Sequence, residues 1–190
     1  VILSSSKDFV ALDVETASAD PASICQLGIA RFREGCLDHV ETYLVRERGR
    51  FAASNTAIHG FDEESVSAAP GWDETYAQVR PDLVGKTIVS HTLFDRRAIF
   101  KACYRGRSPM FSYTRWMDSC AVARRVWPGL HSYSLGELAR HFGLTHRAHD
   151  AGEDARVAGQ IYLLAMEETS RGKEQPARSG SSEGASQNGE

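Results

Sequence analysis

Apolar and polar positions follow two different periods along this chain, and the changes between them mark its elements. Phe9-Val10-Ala11-Leu12-Asp13 is a short apolar run ending in a carboxylate, which predicts a buried strand over Phe9–Asp13. Ile24–Arg33 and Leu37–Val45 read as two more strands, and the Glu34-Gly35 pair between them predicts a hairpin turn. Three early strands with short connections imply an antiparallel start to a sheet. Arg46–Ser54 is polar and irregular and reads as a loop. Asp73–Arg80 reads as a helix stopped at Pro81. Thr87–Ser90 is a short apolar strand. The helix after it puts Phe94, Ala98 and Ala102 on one face, with Ile99 and Cys103 beside them. Residues 113–117 read as a last short strand.

Three helical segments remain. One spans Ser119–Val126. The next starts at Ser134, where Ser134-Leu135-Gly136-Glu137 has the form of a capping box, and stops near Gly143. The last runs over Gly152–Glu168, with Ala158, Ile161, Tyr162 and Ala165 facing the core. Strands first, then strands and helices mixed, predict an α/β fold with a sheet flanked by helices.

A chain of 190 residues fits one domain and can bury a sizeable core without staples. Residues 1–170 are expected to form that domain. From Arg171 the chain is rich in Gly and Ser and lacks large apolar residues, so 171–190 is expected to be a disordered tail. The chain opens on Val1 rather than methionine, so its true start is expected to be missing. No run is long or apolar enough to span a membrane and no signal-peptide pattern opens the chain, so no membrane partner is expected. The four cysteines form no C-x-x-C pair, which argues against a zinc knuckle. Cys25 and Cys103 lie in apolar runs and are expected to be buried thiols, in keeping with a reducing, cytoplasmic location.

The net charge of −3 excludes an overtly basic nucleic-acid binder. Yet Arg96, Arg97, Lys101, Arg105, Arg107 and Arg115 form a stretch with no acid in it. It reads equally as a solvated helix face and as a phosphate-contacting one.

Candidate chemistry starts with Asp13-Val14-Glu15 at the end of the first strand. Residues two apart share a strand face, so both carboxylates can converge on one cation. Asp95 lies one turn into the helix after a buried strand. With Phe94 packed inward, Asp95 is left near the strand's end, where open α/β sheets place ligands. Alone, it reads as a carboxylate complementing a helix N-terminus. His149 sits on a loop and Asp154 in the first turn of the last helix, so the two can approach one site from different directions. Such a set suits phosphodiester hydrolysis. Two divalent ions about 3.5–4 Å apart activate water, neutralise phosphate and stabilise the leaving oxygen. Hard cations take carboxylate oxygens, and a histidine of ordinary pKa can take the proton of the attacking water.

As an ordered set these residues resemble the DEDDh 3′–5′ exonuclease family, which includes the proofreading epsilon subunit of bacterial DNA polymerase III and stand-alone relatives. The resemblance spans about residues 8–168. Its first motif is Phe9-Val10-Ala11-Leu12-Asp13-Val14-Glu15-Thr16. Its second is Ser90-His91-Thr92-Leu93-Phe94-Asp95, and its third is His149 followed by Asp154-Ala155-Arg156. Ile58-His59-Gly60-Phe61, Trp127-Pro128 and Tyr133-Ser134-Leu135 resemble intervening family segments. One departure is Thr92, where the family usually has Asn.

The resemblance implies an RNase H-like fold with a central mixed five-stranded sheet flanked by helices. It implies stepwise release of nucleoside 5′-monophosphates from a 3′ end. Asp13, Glu15, Asp95 and Asp154 would hold two Mg²⁺ or Mn²⁺ ions, with His149 as general base. Thr16, Ala17, His59, Phe61 and His91 would lie near the terminal nucleotide, although His59-Gly60 reads equally as a packed turn. The implied substrate is DNA with single-stranded or frayed 3′ ends, with RNA as the alternative. A DNA polymerase is a candidate partner, for which the tail after residue 170 is a short tether without a helical docking pattern. An inactive polymerase-interaction module is the reading from another class; loss of a ligand would favour it, and none is lost.

Overall fold

The computed structural model describes residues 7–109 and 115–174. Five strands, β1 (Phe9–Thr16), β2 (Ile24–Arg33), β3 (Cys36–Leu44), β4 (Thr87–Ser90) and β5 (Arg115–Asp118), form one sheet in the order β3-β2-β1-β4-β5. β1, β2 and β3 are antiparallel neighbours, while β4 pairs parallel to β1 and β5 parallel to β4. The parallel pairing brings the carboxyl ends of β1 and β4 to the same edge. The helices are α1 (Ala53–His59), α2 (Trp72–Leu83), α3 (Phe94–Gly106), α4 (Ser119–Val126), α5 (Leu135–His141) and α6 (Ala151–Glu174).

Strand alternation sorts the core into two layers. Val10, Leu12 and Val14 of β1 face α2 and α3, where they meet Trp72, Tyr76, Val79, Ala98, Ile99 and Ala102. Phe9 and Ala11 face the other way, with Ala30 and Phe32 of β2, onto Ala155, Tyr162, Ala165 and Met166 of α6. By the same alternation Asp13 and Glu15 continue the α6 face beyond the apolar part of the strand. Opposite them in register stand Gly28 and Gln26 of β2. A Cβ at Gly28 would lie 2.0 Å from the carbonyl of Ala151, so the start of α6 rests directly on the β2 backbone. Gln26 Oε1 accepts the Ala151 N–H at 2.9 Å, which satisfies one of the helix's free N-terminal donors.

The Glu34-Gly35 turn is as expected. Both residues have positive φ, 52° and 81°, as a two-residue turn matched to strand twist requires. Cys25 and Cys103 are buried, also as expected. Elsewhere the boundaries shift for physical reasons. β1 continues past Asp13 to Thr16, so the carboxylates lie within the ladder. α1 replaces the end of the expected loop; it buries no residue and therefore carries no apolar period. α2 does not stop at Pro81 but runs to Leu83, whose buried side chain rewards the last turn. Phe94 is exposed rather than packed inward, while Asp95 is buried in the turn that follows β4. The capping box at Ser134 does not form, because Glu137 pairs with Arg140 instead. α6 extends beyond Glu168 to Glu174; the rest of the expected tail, 175–190, and positions 113 and 114 of the expected last strand lie outside the described residues. Among the described residues no helix is long and apolar enough to cross a membrane.

Gly28→Ala tests the seating of α6. The added methyl meets backbone and cannot be relieved by a rotamer change. The expected loss is roughly 1–3 kcal/mol in urea unfolding, as for other overpacked cores; an unchanged midpoint would show that α6 is not held at this distance.

Candidate active site

Three segments bring the acidic residues together. β1 supplies Asp13 and Glu15, the first turn of α3 supplies Asp95, and the first turn of α6 supplies Asp154. Asp95 Oδ1 accepts the Val14 N–H at 3.2 Å, which ties α3 to the strand between the two β1 carboxylates. Asp150 caps α6, accepting the Glu153 N–H at 3.2 Å. His149, just before the cap, has φ 66°, a left-handed conformation that aims its exposed ring back over the sheet edge. Its N–H donates to Asp154 Oδ2 at 3.2 Å. One donor atom each from Glu15, His149 and Asp154 lie within 4.8 Å of one another. Glu15, His149 and Asp154 thus meet at one edge of the sheet, and Asp13 and Asp95 lie near enough to act electrostatically on this group.

The convergence is electrostatically unfavourable on its own. Burial holds the Asp13 carboxyl well above its usual pKa, and Asp95, Asp154 and Glu15 push it further. Burial raises Glu15 to about 7, with Asp154, Asp95 and Asp150 adding repulsion. Asp95 is also raised to about 7 by burial; the N–H of Val14 acts against this, while Asp154 and Asp118 reinforce it. An oxygen-rich, crowded and partly accessible donor set of this kind fits a hard divalent cation, whose charge would relieve the repulsion.

The residues expected near a terminal nucleotide behave differently. Thr16 and Ala17 are buried. Ala17 donates its N–H to Ser23 O at 2.7 Å and accepts from Ala52 at 2.8 Å, so its backbone polar groups are spent inside the protein. His59 Nε2 lies 3.2 Å from Thr16 O, and its Nδ1 accepts the Phe61 N–H at 3.0 Å. His59 and Phe61 stack at 5.4 Å. Burial, with His149 nearby, lowers the His59 pKa, so a neutral ring locks this turn beside the site. His91 bridges Ser119 Oγ at 3.0 Å and Tyr133 O at 2.9 Å, joining β4 to α4 and the next loop with both ring nitrogens. Phe61 is only partly buried, and the ring nitrogens of His59 and His91 face partners within the protein. Thr92, the departure from the family pattern, bonds within its own turn: its Oγ1 accepts the Phe94 N–H at 3.1 Å.

Sequence reading passed over His146. Its Nε2 lies 2.5 Å from Asp154 Oδ1, and both side chains are largely buried. Arg156 holds the loop that carries it by donating to Thr145 O at 2.6 Å. A histidine in a short polar loop has no periodic signal. The only available hint was its place in the connection that delivers His149.

Raised carboxylate pKa values make stability depend on pH. Without a divalent ion, folded Glu15 and Asp95 hold protons that the unfolded chain releases near pH 4. Between about pH 4 and 7 the native state therefore binds more protons, and the contribution of these groups to stability falls as pH rises. In EDTA, the melting temperature of the parent should drop more from pH 5 to pH 8 than that of the Glu15→Gln/Asp95→Asn variant. Parallel melting curves for the two proteins would contradict this.

Comparisons with known proteins agree with the geometry. The family model RNase_T, described as Exonuclease, matches residues 10–162. DNA polymerase III subunit epsilon of Treponema pallidum is 29% identical over 161 residues, covering 81% of this chain and 74% of that protein. The 3′-5′ exonuclease DinG of Staphylococcus aureus is 26% identical and covers 84% of this chain, which spans only 18% of DinG. Among solved structures, the nuclease domain of 3′hExo, a DEDDh family member bound to rAMP, superimposes with a TM-score of 0.72 at 13% identity. That match covers 87% of this chain and 94% of the other. The mixed five-stranded sheet with its flanking helices is the RNase H-like arrangement of such exonucleases. A match running from the first carboxylate strand to the middle of α6 takes in every acidic residue of the site, and the chain therefore belongs to the exonuclease family and is a hydrolytic nuclease.

Proposed function

We propose that the protein removes nucleotides one at a time from the 3′ end of DNA, releasing nucleoside 5′-monophosphates. The observation that carries this is the convergence of Asp13, Glu15, Asp95, Asp154 and His149 from three separate segments onto one sheet edge. Asp13, Glu15, Asp95 and Asp154 would hold two divalent ions, Mg²⁺ or Mn²⁺; exonucleases of this family generally use divalent ions. When bound, such ions supply charge stabilisation for the phosphate and a nucleophile from water. Exposed His149 accepts the proton of that water at an imidazole nitrogen, and its backbone N–H keeps Asp154 oriented. His146 acts through Asp154 by holding the other carboxylate oxygen, leaving the remaining lone pairs for an ion. The His59–Phe61 turn borders the place where the terminal nucleoside sits.

DNA is favoured by the likeness to the DNA polymerase III epsilon subunit, 74% of whose length this chain covers. RNA is the second reading, since the structurally similar 3′hExo nuclease domain holds a ribonucleotide. A DNA polymerase is a candidate partner by the same likeness to epsilon, and a cytoplasmic location fits that role.

End-labelled single-stranded DNA and RNA of matched sequence, digested with Mn²⁺ or Mg²⁺ and resolved to single nucleotides, decide activity and preference together. Laddering from the 3′ end, faster on DNA, is expected; internal cuts would overturn the exonuclease reading. Asp13→Ala and His149→Ala should each lower the rate by at least ~100-fold, since an ion ligand and a general base each contribute this much or more. His146→Ala should lower kcat or Mn²⁺ affinity by roughly 10–100-fold with KM for DNA unchanged, as for groups that orient a ligand. Partial recovery in His146→Gln would mark it as a positioning residue.

A further inference from the structure

α3 presents an outward face that its amphipathic pattern does not explain. Successive residues turn by about 100°. Asp95, Ala98, Ile99, Ala102 and Cys103 occupy the arc against the sheet. The middle of the opposite arc should be the most polar part of the helix. Instead it pairs Tyr104 with Arg97, and Leu93 and Phe100 adjoin Tyr104 on one side; Leu93, Phe100 and Tyr104 are 50%, 37% and 88% exposed. Exposed Arg96 lies beyond Phe100 on one side, exposed Lys101 beyond Arg97 on the other, and exposed Arg107 stands at the helix's C-terminal cap. The Arg96 guanidinium lies 5.2 Å from the Phe100 ring centre, and that of Arg97 lies 5.5 Å from Phe94. Leu93, Phe94, Arg96, Arg97 and Phe100 line an open concavity of about 580 Å³. By contrast, Arg105 on the same helix is taken up by Glu47 and Asp20.

Charge and position select the occupant. The chain is acidic overall, yet no acid occurs between Asp95 and Asp118. Flat rings interleaved with cations match a polyanion with planar bases: rings stack on bases while guanidinium and ammonium groups meet phosphates. Asp95 lies in the first turn of the same helix on its opposite side, so the strip begins within one helix diameter, roughly 10 Å, of the active site. α3 is about 20 Å long, enough for several nucleotides to follow a 3′ end held at that turn. We propose that the outer face of α3, centred on Phe100 and Tyr104 with Arg97 and Lys101 alongside, is a stacking track for the single-stranded nucleic acid upstream of the scissile end. This rests on the exonuclease reading for its direction along the strand.

The test compares the parent with Phe100→Ala/Tyr104→Ala, whose side chains are exposed and whose fold is checked by circular dichroism. Fluorescein-labelled dT4 and dT20 are bound in EDTA and followed by anisotropy, and their digestion is then measured with Mn²⁺. The variant should bind dT20 at least ~10-fold more weakly, from the loss of two stacking platforms, and dT4 within ~2-fold of the parent. Its KM for dT20 should rise with kcat unchanged. Equal binding of dT20 by both proteins would overturn the track and leave this face to a protein partner. Equal weakening on both lengths would overturn it too, by placing the rings at the 3′ terminus. A parent that binds dT20 but never shortens it would sink the exonuclease reading, while the binding comparison still decides the track.

Discussion

The first turn of α6 reaches the sheet only because β2 has no side chain at Gly28. That close approach fixes the geometry of everything chemical in the molecule. Asp13 and Glu15 are held by the β1 ladder, and Gln26 ties the start of α6 down beside them. Asp154, one turn into the helix, and His149, just before its cap, are thereby brought over the strand's acidic end. Asp95 arrives from the opposite layer and is pinned through the Val14 N–H. Two packed layers that each bury ordinary apolar faces deliver charged groups only where they meet, at the edge of the sheet.

This edge works against the stability of the fold. Several carboxylates are partly withdrawn from water, and each raises the proton affinity of its neighbours. The apolar layers on either side, Val10, Leu12 and Val14 against α2 and α3, and Phe9 and Ala11 against α6, offset that repulsion. A site strained in this way is ready for cations, because ion binding relieves charge that the protein cannot disperse itself.

Much of this was legible in the sequence, for reasons tied to particular residues. The five catalytic candidates could be read only as an ordered set, since each is weak alone: Asp13 and Glu15 after an apolar strand, Asp95 after a buried one, His149 and Asp154 at the entry to a periodic helix. The hairpin was legible because Glu34-Gly35 is a turn pair. α1 was not, because it buries nothing and so has no period to detect. Pro81 misled because a buried Leu83 outweighs one missing hydrogen bond near a helix end. Phe94 was assigned to the wrong side because hydrophobicity alone says phenylalanine goes inward, whereas at this turn it is Asp95 that packs in. The structural duties of His59, Ala17 and His91 depend on partners 43, 35 and 42 residues away in the chain, and no local pattern carries such information.

The left-handed backbone at His149 has a consequence for how this connection can vary. The chain must reverse its hand for one residue and then enter α6 at once, with Asp150 as cap. The spacing from His149 to Asp154 therefore leaves no slack. An insertion or deletion between them would rotate the imidazole away from the carboxylates by a large fraction of a turn, even if the helix re-formed perfectly. The stretch from 46 to 52 lies outside the path from His149 to Asp154, so a change in its length leaves that phase intact, although it would disturb the Ala52 N–H to Ala17 bond. Tolerance to length variation should thus be sharply uneven along this surface, set by helical phase rather than by exposure.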